Sequence, residues 1–302
     1  MAQQGGMMPQ STRWGRFRDS EAASGLAMIS PTAIYATLLL AAPLVTIFLY
    51  SFWTDGYLTI IREFTLDNYI TAWSNPAFRA VMLRSLFVSL AVTATTVILA
   101  FPVAYFVSFY VDSSKKSLWL FLITIPFWTS YLIRIFLWKV ILGYNGVINS
   151  SLLSMGIISE PLQSINYSVG AVITALAHAY APFAILPIFV ALEKIDRSLL
   201  EAGRDLGESP VMTFLRVTLP LSMAGVISSV LIVFIPTIGD YVTPLLLGGP
   251  EGRMVANLID LNFKKLDNYP MGSAIAISAM AIVVAISLLF LFVNRRYLKG
   301  AK

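Results

Sequence analysis

The charged side chains of this sequence are separated by six long stretches that contain none: 22–54, 85–111, 117–133, 161–192, 217–239 and 268–294. A helix needs about 20 apolar residues, within a range of about 17–25, to cross the roughly 30 Å hydrocarbon core of a bilayer. Each stretch is long enough, and backbone groups inside lipid must bond within their own segment, so each is expected to be a helix. The fold class that follows is all-α, an integral membrane protein with six transmembrane helices. A seventh charge-free run, 140–159, contains Gly143, Asn145, Gly146, Asn149 and Ser150 and reads as loop or short interfacial helix.

Composition excludes most alternatives. Only 12% of the residues are charged, with a mean hydropathy of +0.76, whereas soluble domains are about one quarter charged. The absence of cysteine excludes disulfides and thiolate metal sites, and a single histidine, His178, cannot build a histidine metal cluster. No metal site and no catalytic constellation is therefore expected. The dipeptide Gly-Lys never occurs, so no Walker A loop is present. Any energy source must sit on a partner or in an ion gradient.

Six spans place both termini on one side, and lysine and arginine choose the side. With both termini cytoplasmic, the inner segments hold 13 of the 21 basic residues against eight acidic ones, and the outer segments hold eight of each. The whole excess of +5 then lies inside, which reads the basic balance as a topology signal rather than a nucleic-acid footprint. Residues 1–29 are rich in Gln, Gly, Ser and Met and are expected to be a disordered cytoplasmic tail. Residues 30–295 form the transmembrane domain and 296–302 a second cytoplasmic tail.

The loop between spans four and five is too elaborate for a connector. Residues 193–220 carry nine of the 37 charges. Asp196 is placed to cap a short helix on which Ile195, Leu199, Ala202 or Gly203, and Leu206 share a face. Gly207 suits the left-handed position that ends it. Ser209 and Pro210 suit the start of a second helix with Val211, Phe214, Leu215 and Thr218 on one face, and Pro220 marks the beginning of span five. Two readings are open for the pair: lying on lipid, or docking a cytosolic protein. The acidic Glu201, Asp205 and Glu208 oppose anionic lipid and favour docking.

The same loop resembles the EAA signature of ABC-importer permeases. It stands here as Glu201-Ala202-Gly203, then Gly207, then Val217-Thr218-Leu219-Pro220, with Gly203 and Val217 as conservative departures. Phe64-Thr-Leu-Asp-Asn-Tyr69, Pro102-Val-Ala-Tyr105 and Gly239-Asp-Tyr-Val-Thr-Pro244 are similar to the spermidine/putrescine branch of that family. The resemblance covers residues 30–295 and implies a MetI-like six-helix permease of the bacterial inner membrane, part of an importer of small cationic solutes such as polyamines. It also implies an ATP-binding cassette ATPase dimer that binds ATP and Mg²⁺, a second and different permease subunit, and a periplasmic solute-binding protein. No cofactor is implied on this chain. Another solute, such as ferric ion, an opine or an amino-acid derivative, is the alternative within the class. An ion-gradient transporter would need paired carboxylates or a lysine deep in several spans, and the six runs hold none.

By resemblance Glu201, Ala202, Gly203, Gly207, Leu219 and Pro220 form the ATPase-coupling segment, with Glu201 making the charged contact. The plainer reading of Glu201 is an i−4 pair with Arg197. For the solute path the candidates are Asp240 with Tyr241, Trp128, Tyr131, His178 and Tyr180. Asp240 is either a solvated carboxylate at a helix end or an anionic group at the outer gate. Trp128 and Tyr131 are either belt aromatics or faces for an ammonium group. His178 either bonds a neighbour in the bundle or lines the cavity, and Arg134 and Lys139 are expected to snorkel outward.

Overall fold

The computed structural model describes residues 21–56 and 59–299. Among these, five helices are long and apolar enough to cross a membrane, and a bent pair makes a sixth when counted as one span. Residues up to Tyr50 form one compact unit and those from Ser51 a second.

In the first unit, α1 (Glu21–Tyr50) runs through Pro31 and Pro43. The expected unstructured tail falls partly outside the described residues, up to residue 20, and its remainder, 21–29, is helical. Glu21 to Met28 contains no proline and one glycine, so nothing in it stops the helix from extending past the apolar run.

The second unit opens with a two-stranded antiparallel pair, β1 (Thr54–Asp55) and β2 (Ile60–Ile61), followed by α2 (Asp67–Ser74). The segment Phe64–Tyr69 holds these together. The buried Asn68 amide donates to the carbonyls of Ser51 and Trp53 at 3.1 and 2.8 Å, and the Tyr69 hydroxyl donates to Ser51 Oγ at 2.7 Å. Next, α3 (Pro76–Phe109) starts with Asn75 accepting from the Ala77 amide and Pro76 in the first turn, where a missing N–H costs nothing.

Span three departs from expectation. In place of one helix over 117–133 there are two, α4 (Ser113–Thr124) and α5 (Tyr131–Ile141), meeting at 86° across a break. Pro126 sits in a 3₁₀ turn, Ile125–Trp128, and Thr129 is extended with φ −95° and ψ 143°. That geometry ends α4, and α5 leaves in a new direction. The glycine- and serine-rich run beyond it gives the short helix α6 (Val147–Ser154), as its composition implies.

The centre of the unit is α7 (Val169–Glu193). One core cluster joins Ala175, Ala184, Ile188 and Leu192 of α7 to Val92, Ala100, Ala104 and Val107 of α3 and to Ile135 of α5. Lipid supplies little hydrophobic drive between helices, so small residues that let backbones approach carry the packing. Gly225 is the clearest case: a Cβ there would meet the Pro187 carbonyl oxygen at 2.5 Å. Beside it the Ser229 hydroxyl donates to the Ala184 carbonyl of α7 at 2.9 Å.

The loop contains α8 (Arg197–Asp205) and then α9 (Pro210–Thr213). The second loop helix does not stop at Pro220. A π turn over Phe214–Thr218 carries it into α10 (Leu219–Ile238), making one helical rod of 29 residues from Pro210. Proline at the second position of α10 donates no hydrogen bond, and the wider turn before it accommodates that loss. Beyond α10 come α11 (Val242–Leu247), α12 (Val255–Lys264) and α13 (Tyr269–Val293). The first amide of α12 donates to Ser85 Oγ of α3 at 2.7 Å, which ties the start of α12 to α3. Finally α14 (Arg295–Lys299) packs against α10. The tail expected at 296–302 is thus helical to Lys299, and its last residues lie outside the described range.

Candidate functional site

Two groups of residues carry the candidate chemistry, at opposite ends of the rod Pro210–Ile238.

At the loop end, Asp196 caps α8 by accepting from the Ser198 amide at 3.0 Å. The bonds to Ser198 hold the Asp196 carboxyl below the usual carboxylate value of 3.8. Gly207 follows α8 with φ +80°, the left-handed geometry its position requires. Ser209 then accepts from the Met212 amide at 3.3 Å to open α9. Gly203 is buried against Thr213, and a Cβ on it would lie 3.2 Å from Thr213 Cγ2. Thr213 therefore crowds the position an alanine methyl would take, in keeping with glycine where the EAA signature has its third alanine.

Glu201 and Ala202 are exposed, while Leu219 and Pro220 are half-buried where the rod leaves the loop. The i−4 pair of Glu201 with Arg197 is not among the ion pairs of the described residues. Arg197 instead reaches the Ser108 carbonyl at the end of α3. The apolar face expected on α8 is only partly covered: Ile195 is buried, but Leu199 is 46% and Leu206 85% exposed. With Val211 and Leu215, also exposed, they leave an apolar surface around the acidic Glu201. A knob of this kind suits a protein partner better than water.

At the other end, Asp240 occupies the gap between α10 and α11. Its Oδ1 accepts from the amides of Val242 and Thr243 at 2.9 and 3.4 Å, capping α11. Its Oδ2 accepts from the Tyr131 hydroxyl at 2.5 Å, and that hydroxyl also lies 2.7 Å from Thr243 Oγ1. Tyr131 is the first residue of α5, so the break in span three and the end of span five meet at this one carboxylate. The solvated reading of Asp240 is thereby overturned: the residue is 8% exposed, because the helix ends under α5 rather than in solvent.

Tyr131 is half-buried, and its hydroxyl is committed to Asp240. Half-buried Tyr180 of α7 lies within electrostatic reach of the same carboxylate. The remaining candidates are not gathered there. Trp128 is 79% exposed and touches Phe121 edge-on, at 6.2 Å between ring centroids. Tyr241 turns away, with the Lys264 ammonium 5.2 Å above its ring. His178 is exposed on α7 and accepts from the Trp138 indole at 3.3 Å. Arg134 does not snorkel outward but donates to the carbonyls of Ala179 and Thr129, because α5 folds back along α7. Lys139 sits 5.9 Å from the Tyr167 ring.

Sequence reasoning missed one group entirely. Glu193, Lys116, Ser108 and Arg197 converge where α3, α4, α7 and α8 end or begin. Their separations along the chain, up to 89 residues, leave no local pattern to find. The described residues contain no cluster of histidine, cysteine or carboxylates able to hold a metal.

Known proteins agree with this architecture. Residues 99–300 match the family described as binding-protein-dependent transport system inner membrane component. The chain is 37% identical over 241 residues to the spermidine/putrescine transport system permease protein PotB of Haemophilus influenzae, covering 80% of this chain and 83% of that protein. It is 38% identical over 226 residues to PotB of Escherichia coli, covering 75% and 81%. The inner membrane ABC transporter permease protein YdcU of Escherichia coli is 32% identical over 83% of each chain. Among solved structures, a chain of a bacterial alginate ABC transporter superposes with a TM-score of 0.73 at 17% identity, covering 94% of this chain and 97% of its own. At that identity the likeness concerns the fold.

Proposed function

The chain belongs to the family of binding-protein-dependent inner-membrane transport components, and from that premise we propose that it forms the translocation path for polyamines, putrescine and spermidine, in an ATP-driven importer. As an ABC permease it is a multi-pass inner-membrane subunit of a transporter rather than an enzyme. The observation that carries the polyamine reading is the match to spermidine/putrescine permeases at 37–38% identity over three quarters or more of the chain. The buried Asp240 is in keeping with it, since an anionic group at the junction of two broken spans attracts an ammonium cation. YdcU, whose name states no solute, leaves another small solute as the second reading.

In this proposal the loop 193–220 faces the cytosol and seats in an ATPase partner that binds ATP and Mg²⁺. The excess of basic residues on the loop side supports that orientation, with both termini inside. A second, related permease completes the path, and a periplasmic binding protein delivers the solute. ATP binding draws the loops of the two permeases together, and the rigid shift tilts α7 and α10, opening the cavity alternately to each side.

The test is uptake of labelled putrescine and spermidine in cells with and without this chain. Loss of both uptakes on deletion, restored by the gene in trans, is the expected result. Unchanged polyamine uptake with loss of a non-cationic solute overturns the reading. Orientation has its own measurement: the chain contains no cysteine, so single cysteines placed at 206 and 160 report sidedness to an impermeant thiol reagent without background. The expected result is labelling at 160 and protection at 206 in intact cells.

A further inference from the structure

At the loop end, one carboxylate oxygen joins α3, α4 and α7, and α8 is tied to the same joint through the Ser108 carbonyl. Glu193, the last residue of α7, accepts at Oε1 from the Lys116 ammonium at 2.6 Å and from the Ser108 hydroxyl at 2.7 Å. Lys116 lies in the first turns of α4 and is only 9% exposed. Ser108 is the penultimate residue of α3, and its carbonyl, one of those a helix C-terminus leaves free, accepts from the Arg197 guanidinium at 3.3 Å. Arg197 is the first residue of α8. Only Lys194, Ile195 and Asp196 separate α7 from α8, and Ile195 is buried while Asp196 caps. The joint has little slack.

A second contact reinforces the first. Phe214, in the π turn, lies edge-on to Phe101 and Tyr105 of α3 at 5.5 and 6.0 Å between centroids. Both halves of the loop are therefore fastened to α3, one by charge and one by aromatic packing. An exposed ion pair would be a weak tie. Here the Lys116 side chain is 11% exposed and that of Glu193 34%, so loss of the carboxylate leaves a largely desolvated ammonium without its partner.

We propose that Glu193 is a positioning residue for energy coupling: through Lys116, Ser108 and Arg197 it locks α8 to the ends of α3 and α4, so that displacement of the loop moves those spans with α7. The inference rests on the reading of 193–220 as the ATPase-docking segment. It adds to that reading a route for the force, into the span whose break carries Tyr131.

The experiment uses the whole importer, with its ATPase, second permease and binding protein, in proteoliposomes, with labelled putrescine as the probe. Solute moved per ATP hydrolysed is the readout, because a merely structural defect lowers yield and leaves that ratio alone. Glu193→Gln is expected to retain ATPase by co-purification and to hydrolyse ATP, while the ratio falls by about tenfold, the scale of one lost charge-assisted bond. The exchange Lys116→Glu with Glu193→Lys is expected to restore it. Should Glu193→Gln fail to assemble, Ser108→Ala and Lys116→Met each remove one donor and give the same readout. An unchanged ratio, or hydrolysis and transport falling in proportion, overturns the proposal. Failure of the docking reading looks different: the ATPase then remains bound and active when Glu201 is replaced.

Discussion

The Tyr131 hydroxyl donates to Asp240 Oδ2 at 2.5 Å, across 109 residues of sequence. Tyr131 begins α5 and Asp240 lies in the gap between α10 and α11, so the bond closes two breaks at once. A hydrogen bond to a charged group contributes about 1.5–3 kcal/mol, enough to bias the two arrangements of a transporter by roughly tenfold or more.

Tyr131→Phe removes that donor while preserving the ring. Transport is expected to fall by about tenfold with normal membrane insertion, and Asp240→Asn to fall further because it also removes the charge. Initial uptake rates at graded solute concentration check this. Wild-type rates in both variants would mean that the pair is only structural.

The loop predicts a separation between membrane insertion and assembly with the ATPase. Glu201→Ala deletes the exposed carboxylate, and Gly207→Val forces a β-branched residue to φ +80°, where such residues are outliers. Both variants are expected to insert normally, to lose ATPase on co-purification and to stop transport. A fully active Glu201→Ala transporter would exclude the docking role.

Gly203 and Thr213 form a testable pair. Gly203→Ala favours the helix by up to about 1 kcal/mol, but its methyl meets Thr213 Cγ2 at 3.2 Å. The single variant is expected to gain nothing, and the double variant with Thr213→Ser to recover the helix benefit. Thermal unfolding of the four proteins in detergent gives the coupling, and additivity would show that the contact relaxes freely.

Asp196 sets a pH response at the head of α8. Its folded-state value is depressed by the bonds to Ser198, so the cap is present above the ordinary value of 3.8 and is lost as pH falls through the depressed one. Protection of the Ser198 amide from hydrogen exchange should therefore drop at acid pH below about 4, and Asp196→Asn, which caps without titrating, should abolish the drop.

Gly225→Val places two methyl groups against Pro187 and Ala191 of α7. Overpacking of this kind costs about 1–3 kcal/mol, and the variant is expected to melt earlier in detergent than Ser228→Val on the exposed side of α10. Equal melting would mean that α10 shifts without penalty.

The apolar runs located most of the bundle because charge is costly in lipid, and α3, α7, α10 and α13 each overlap most of a stretch so marked. Caps were equally legible, since Asp196, Ser209 and Gly207 act through neighbours in sequence. The break in span three was not, because bending an apolar segment at Pro126 and Thr129 leaves its charge count unchanged. Pro220 does stand in the first turn of α10, at the start of span five; what a proline there does not reveal is the π turn that joins this span to the second loop helix without a break. Asp240 could be placed at a helix end by counting residues. Its burial depends on α5 arriving from another part of the chain, and so does the partnership of Glu193 with Lys116.

The rod from Pro210 to Ile238 is braced near its middle, where Gly225 meets Pro187. At 1.5 Å per residue the arms on either side are about 22 Å and about 20 Å. Pro210 and Asp240 thus stand at nearly equal distances from one point of close contact, so a tilt of the rod about that point would displace its two ends in opposite directions by almost the same stroke.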